Sequence, residues 1–341
     1  MNRQSLLRIF AGLAFVGVLT GSLFLIRTHG SGSPDFAETT SGQSVDIEIP
    51  EGATGSDIAK ILVDAGVVKS NSAFFQVAVG NSDSSRIAPG SHSIDLHISA
   101  QSALSQLLDS KRISNLIKVP EGAWTSEVVE LLAKSGFKKN ELLDALHTMT
   151  LPTDFPSSEG IFFPAQYSFA KNTSAAQAIE VMVRRFESEA VRAGLTSATD
   201  GFSPLQLLTI ASIIQAEGDA GDFSKISRVI RNRLTIGMQL QMDTTVHYVL
   251  KTRGQVFLSS QSTQVSSPYN TYRNYGLPPG PIGNPGRAAM NAALAPDSGD
   301  WLYFITVKPG DTRFTKSDSQ FLTWKQEYEK NLRAGLFGSK K

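Results

Sequence analysis

Seventeen residues beginning at Pro50, PEGATGSDIAKILVDAG, return in altered form at Pro120 as PEGAWTSEVVELLAKSG, 70 residues later and without a gap. Pro, Glu, Gly and Ala match at the start, Ser56 matches Ser126, Leu62 matches Leu132, and Gly66 matches Gly136. Each copy follows a short alternating stretch, VDIEI or NLIKV, that reads as a strand. Each then runs into a helix ending at a glycine suited to the left-handed position beyond a helix end. Thr54 and Asp57 have capping-box spacing in the first copy, and Trp124 breaks that spacing in the second. Between the copies, SNSAFFQVAVG reads as a helix, GSHSIDLHI as a strand and SAQSALSQLLDS as another helix. Two copies are too few for a solenoid. The pattern points to an α+β chain holding a pair of small strand–helix modules, and both a spacing scaffold and a binding module fit it.

Ahead of the repeat, Leu6–Ile26 is broken only by Arg8, and Ile9–Ile26 is a run of 18 uncharged residues. That is close to the roughly 20 residues needed to cross a bilayer. Arg3 and Arg8 precede it, so the positive-inside rule puts the N-terminus in the cytoplasm and the bulk of the chain outside it. A cleaved signal peptide is the alternative. Its apolar region usually spans only about 7–15 residues, and no small-x-small cleavage site follows the run, so an uncleaved single-pass anchor is expected. Arg27–Ser44, rich in Gly, Ser and Thr, reads as a flexible tether. The whole chain has the composition of a mostly globular protein, at 41% hydrophobic and 18% charged residues. A net charge of +1 gives no bulk basic field for nucleic acid, and the absence of cysteine removes disulfide and thiolate chemistry.

The distal half changes texture. GIFFPAQYSF is aromatic-rich, a long amphipathic helix follows over roughly 174–193, and PLQLLTIASIIQ carries Leu207, Ile210, Ile213 and Ile214 at helical spacing. The next step of that stripe lands on Glu217. Further on, Ile226, Val229, Ile230, Arg233 and Leu234 share a helical face. Ser266–Gly286 then packs three Tyr, five Pro and four Gly into a loop of the kind that lines sites, although such a loop can also pack on itself. His29, His92, His97, His147 and His247 are scattered without metal-ligand spacing, so no metal or cofactor is expected. GxSxG, P-loop and GxGxxG motifs are absent, which leaves carboxylate chemistry.

Most glycosidases use two carboxylates, and near Glu217 the candidates are Asp219, Asp222 and Asp243. One suffices where the substrate supplies its own nucleophile. Burial against Ile213 and Ile214, together with the negative end of its own helix, would raise the Glu217 pKa as a general acid requires. Taken alone, a helix-end Glu is more often simply solvated.

ASIIQAEG, NRLTIGMQLQMDTTVHY, SPYNTYRNYGLPPGPIGNPG and WLYFITVKPGDTRF occur in an order that resembles the endolytic murein transglycosylase (YceG-like) family. EGIFFPAQY resembles the element before that family's catalytic helix, and IPEGATGSDIAKILVDAG its LysM-like opening. The likeness spans roughly 45–336. It implies a cytoplasmic tip and anchor at 1–26, a linker at 27–44 and a LysM-like module at 45–112. A mixed α/β catalytic domain at 113–341 follows, with the second strand–helix copy at 115–136. It also implies cleavage of peptidoglycan strands between N-acetylmuramic acid and N-acetylglucosamine without water, leaving 1,6-anhydro ends, with Glu217 as the one acid and base. Asn232, Gln241, Tyr269, Asn270, Thr271 and Tyr272 match family motif positions and are expected to line the glycan groove. Implied partners are glycan strands, the membrane and peptidoglycan synthases (penicillin-binding proteins).

The chain departs from the family pattern in several places. Ala165 and Gln166 stand where Asp-Thr is common, Thr244 replaces a Pro, and Thr312 and Phe321 occupy positions usually held by histidine. The missing histidines favour a second reading, an inactive peptidoglycan-binding or synthase-scaffolding protein.

Overall fold

The computed structural model describes residues 33–37, 42–50, 52–114, 116–253 and 261–337. The apolar run Leu6–Ile26 and most of the tether lie outside the described residues. Among those described, no helix is long and apolar enough to cross a membrane. The chain divides into two compact units, one reaching to Leu116 and taking in Ser168–Asn172, the other holding Ile117–Tyr167 and Thr173 onward.

The first unit is built on an antiparallel pair, β1 (Ser44–Ile49) and β2 (Gly90–Asp95), in a register that pairs Ser44 with Asp95 and Ile49 with Gly90. Helices α1 (Gly55–Asp64), α2 (Asn71–Gly80) and α3 (Ala100–Leu108) complete it. Period-2 alternation turns Ile47 and Ile49 inward, where they meet Ile58, Leu62, Phe74, Ile94 and Leu104 in one core. Thr54 and Asp57 form the expected capping box at the start of α1. A described part of the tether docks on this unit. The Pro34 carbonyl accepts from the Ser70 hydroxyl, and the Asp35 carboxylate accepts the Ala100 N–H at the start of α3.

The second unit is mostly helical. The expected strand NLIKV shrinks to β3 (Ile117–Lys118), which pairs with β4 (Gln166–Tyr167) in a two-residue ribbon. Helices α4 (Thr125–Lys134), α5 (Lys139–Thr148) and α6 (Ala175–Ala193) follow the chain around it. The indole of Trp124 has no acceptor for an N-terminal cap, but the box is half kept, because the Glu127 carboxylate accepts the Trp124 N–H. Glu159, a carboxylate distant in sequence, accepts the next N–H, that of Thr125, at 3.0 Å.

Helix α7 (Pro204–Glu217) departs from the striped pattern read in its sequence. Every residue from Leu207 to Ile214 is buried, so it is a core helix enclosed on all sides. Leu207, Ile210, Ile213 and Ile214 each contribute about 1.5–3 kcal/mol of burial. Helices α8 (Phe223–Thr235), α9 (Asp243–Leu250) and α10 (Arg287–Leu294) pack against it. The hairpin β5 (Tyr303–Lys308) and β6 (Asp311–Thr315) and the helix α11 (Asp318–Arg333) end the unit, with β5 against α8 and α11 against β5.

Candidate active site

Three separate sequence motifs meet at Asn284, which is fully buried. Its Oδ1 accepts the Phe162 N–H at 2.7 Å and its Nδ2 donates to the Ala123 carbonyl at 2.7 Å. The Asn284 carbonyl accepts the Gly122 N–H at 2.7 Å. EGIFFP, the second PEG copy and the end of the Tyr/Pro/Gly loop are thereby fixed to one another. The loop is fixed to α7 as well, since the Ser212 hydroxyl accepts the Ile282 N–H and the Gln215 side-chain Oε1 accepts the Gly286 N–H.

The last residue of α7 is Glu217. Its side chain keeps a solvent-facing edge but is crowded by protein, and burial raises its pKa to about 7. Two donors from Thr244, the second residue of α9, oppose that rise. The Thr244 hydroxyl donates to Glu217 Oε1 at 2.5 Å and the Thr244 N–H donates to the same atom at 3.3 Å. A proline at position 244 would offer neither bond. The neighbouring Asp243 pushes the pKa further up, and Arg233 pulls it down. The burial expected from Ile213 and Ile214 is thus the leading cause of the shift. Of the three nearby carboxylates singled out in the sequence, only Asp243 influences Glu217; Asp219 is exposed.

The expected groove residues divide by what their side chains touch. Tyr272 donates its hydroxyl to Asp243 Oδ1, and burial raises its pKa. The Tyr269 ring lies 5.2 Å from that of Tyr248, whose hydroxyl donates to Glu159 at 3.1 Å. Asn270 and Thr271 are enclosed. Asn270 donates to the carbonyls of Thr263 and Val265, and Thr271 Oγ1 accepts the Met242 N–H at 2.9 Å, which ties the loop to the start of α9. Asn232 donates to the carbonyls of Gly299 and Trp301, pinning the segment that leads into β5. Gln241 is exposed and left-handed at φ 49°, and its N–H donates to the Thr271 carbonyl at 3.1 Å.

Arg233 shares its helical face with the apolar Ile226, Val229 and Ile230. It is only 6% exposed, donates Nε to the Leu302 carbonyl at 2.6 Å, and lies 5.4 Å over the Tyr303 ring. An arginine on an otherwise apolar helical face is the signal that marked it. Phe321, one of the departures, stacks on Tyr303 at 5.2 Å and so reaches the site through Arg233. Thr312, another, shares a hydrogen bond with Thr306 within the hairpin. His247, one turn after Asp243 on α9, keeps a buried Nε2 with no partner among the described residues, and burial lowers its pKa.

The YceG-like family matches residues 47–327. A Bacillus subtilis protein named endolytic murein transglycosylase is 31% identical over 334 residues, covering 91% of each chain. Proteins of the same name from two Streptococcus pneumoniae strains are 24% identical, over 79% of this chain and 55% of theirs. The crystal structure of a putative YceG-like protein from Listeria monocytogenes superimposes with a TM-score of 0.56 at 28% identity, covering 84% of this chain and 99% of that one. In sequence and in fold, this chain belongs to the YceG-like family.

Proposed function

We propose that the protein is an endolytic lytic transglycosylase that cuts peptidoglycan glycan strands with Glu217 as its acid and base. The observation that carries this reading is the Glu217 carboxyl. It ends a core helix, is half-buried, and holds a proton near neutrality. Both Thr244 bonds fall on Oε1, so Oε2 is the oxygen left to carry and transfer the proton.

Glu217 gives its proton to the glycosidic oxygen as the bond from the anomeric carbon of N-acetylmuramic acid breaks. The C6 hydroxyl of the same sugar then closes on the anomeric carbon, and its proton returns to Glu217. The products are a strand with a free hydroxyl end and a strand with a 1,6-anhydro end. Because the nucleophile belongs to the substrate, proximity replaces a positioned water and a second catalytic carboxylate. The names of the B. subtilis and S. pneumoniae relatives support this substrate class.

The 18-residue uncharged run Ile9–Ile26 supports a single membrane anchor, with both folded units outside the cytoplasm. The strand–helix–helix–strand–helix order of the first unit supports a LysM-like glycan-holding role. An enzyme held this close to the membrane would meet strands as they are made, beside penicillin-binding synthases; failure to co-purify with them removes that partner. The activity is tested by mass spectrometry of uncrosslinked strands incubated with the full chain. Anhydro-ended fragments are expected, and an absence of cleavage would leave the inactive scaffolding role.

A further inference from the structure

Helix α9 brings two side chains of opposite effect to Glu217 from adjacent positions. Thr244 holds the carboxyl with its hydroxyl and its N–H, both on Oε1. Asp243 is tethered by the Tyr272 hydroxyl, which donates to its Oδ1. Met242, just before them, is fastened to the loop by its N–H on Thr271 Oγ1 at 2.9 Å. The start of α9 and the Tyr/Pro/Gly loop are therefore a single hydrogen-bonded piece, and Glu217 rests against it.

We propose that this piece positions and tunes the acid. Thr244 orients the carboxyl so that Oε2 faces the scissile bond, and Asp243, fixed by Tyr272, is a second carboxylate that acts on Glu217 through its charge alone.

This rests on the reading of Glu217 as the acid and adds no bond-making role. The groups that bear on the pair come from every side of the site. Arg233 on α8 acts on Glu217 as a cation, Tyr272 and Tyr303 bear on Arg233, and Asp243 bears in turn on His247 and Tyr328. A hydrogen bond to a carboxylate favours its charged form, whereas a like charge close by disfavours it. Thr244 and Asp243 therefore pull in opposite directions, as the causes of the Glu217 shift also have it. Burial and the bond donated to Asp243 hold the phenol proton on Tyr272, so that tether persists.

The test is the pH dependence of kcat/KM of the full chain on glycan strands, since loss of the acid's proton sets the fall at high pH. Asp243→Asn keeps an acceptor for Tyr272 and removes the charge. It should move that fall to lower pH by about one unit, and Thr244→Val should move it to higher pH by about as much. Thr244→Ser should restore the original profile. If Asp243→Asn does not fold, as judged by circular dichroism, Asp243→Ser tests the same loss of charge. Unmoved profiles, or shifts of one sign in both variants, overturn the proposal. Glu217→Gln separates it from the reading beneath: an active Glu217→Gln enzyme overturns the acid assignment itself. An inactive one with unmoved Asp243 and Thr244 profiles overturns only the tuning.

Discussion

The Phe162 N–H donates to Asn284 Oδ1 at 2.7 Å across 122 residues of sequence, inside a fully buried network. The same carboxamide holds the Ala123 carbonyl, so one side chain ties the second PEG copy, the EGIFFP segment and the site loop. Removing it leaves the buried Phe162 N–H without an acceptor and takes one of two donors from the Ala123 carbonyl, which keeps the Asn284 N–H at 2.9 Å. Asn284→Ala is expected to cost about 2–4 kcal/mol, lowering the calorimetric transition. Because Ile282 and Gly286 fix the same loop to α7, activity should fall as well. A melting temperature equal to that of the wild type would show that the network does not hold the second unit.

Stability should depend on pH through Glu217. Its pKa rises from 4.5 to about 7 on folding, so between those values the folded chain holds a proton that the unfolded chain releases. The contribution is full below about 4.5 and is lost as pH rises through about 7. Glu217→Gln, which stays neutral, should therefore stabilise the protein at pH 8 relative to pH 5, by about 1–3 kcal/mol once solvent at its open edge is allowed for. Denaturant titrations at the two pH values measure it, and equal effects at both would contradict the shift.

Glycine at position 218 is required by a close approach. Its backbone is extended, so no left-handed strain is involved, but an added Cβ would lie 2.4 Å from Cδ1 of the fully buried Ile226. Ile226 lies on α8, the helix that carries Arg233. Gly218→Ala should cost about 1–3 kcal/mol by overpacking and displace the acid against its neighbours. Assayed at a temperature where the variant is fully folded, turnover should fall several-fold; wild-type turnover would mean that this contact does not set the position of Glu217.

The apolar run and the folded units should separate cleanly. Deleting residues 1–32 is expected to move the protein from the membrane fraction to the soluble one while cleavage of soluble strands continues. Retention in the membrane fraction would refute the anchor.

Much of this was legible in the sequence, for identifiable reasons. Caps and helix positions are local, so the Thr54–Asp57 box and the span of α6 followed from spacing alone. Glu217 stood out because a carboxylate interrupts an apolar series, and the residues beside it supplied the burial that raises its pKa. Where partners are distant in sequence, spacing was silent. The capping role of Glu159 at Thr125, the meeting of three motifs at Asn284 and the stacking of Phe321 on Tyr303 have no local signature. Among the described residues of NLIKV, Ile117 and Lys118 pair with Tyr167 and Gln166 and the Val119 N–H reaches the Ala165 carbonyl, partners distant in sequence that alternation cannot reveal. Thr244 was visible only as a departure from a family pattern; its two bonds to the acid emerge from the packing of α9 against the end of α7.

Under the proposed mechanism one carboxyl, Glu217, cleaves the strand with the sugar's own C6 hydroxyl as nucleophile. Digesting glycan strands in oxygen-18-labelled water, with Glu217→Gln in parallel, tests it most directly. The wild-type chain is expected to give anhydro ends without the heavy isotope, and a Glu217→Gln chain of unchanged circular dichroism is expected to give no cleavage. Labelled reducing ends, or anhydro ends from Glu217→Gln at the wild-type rate, would contradict it.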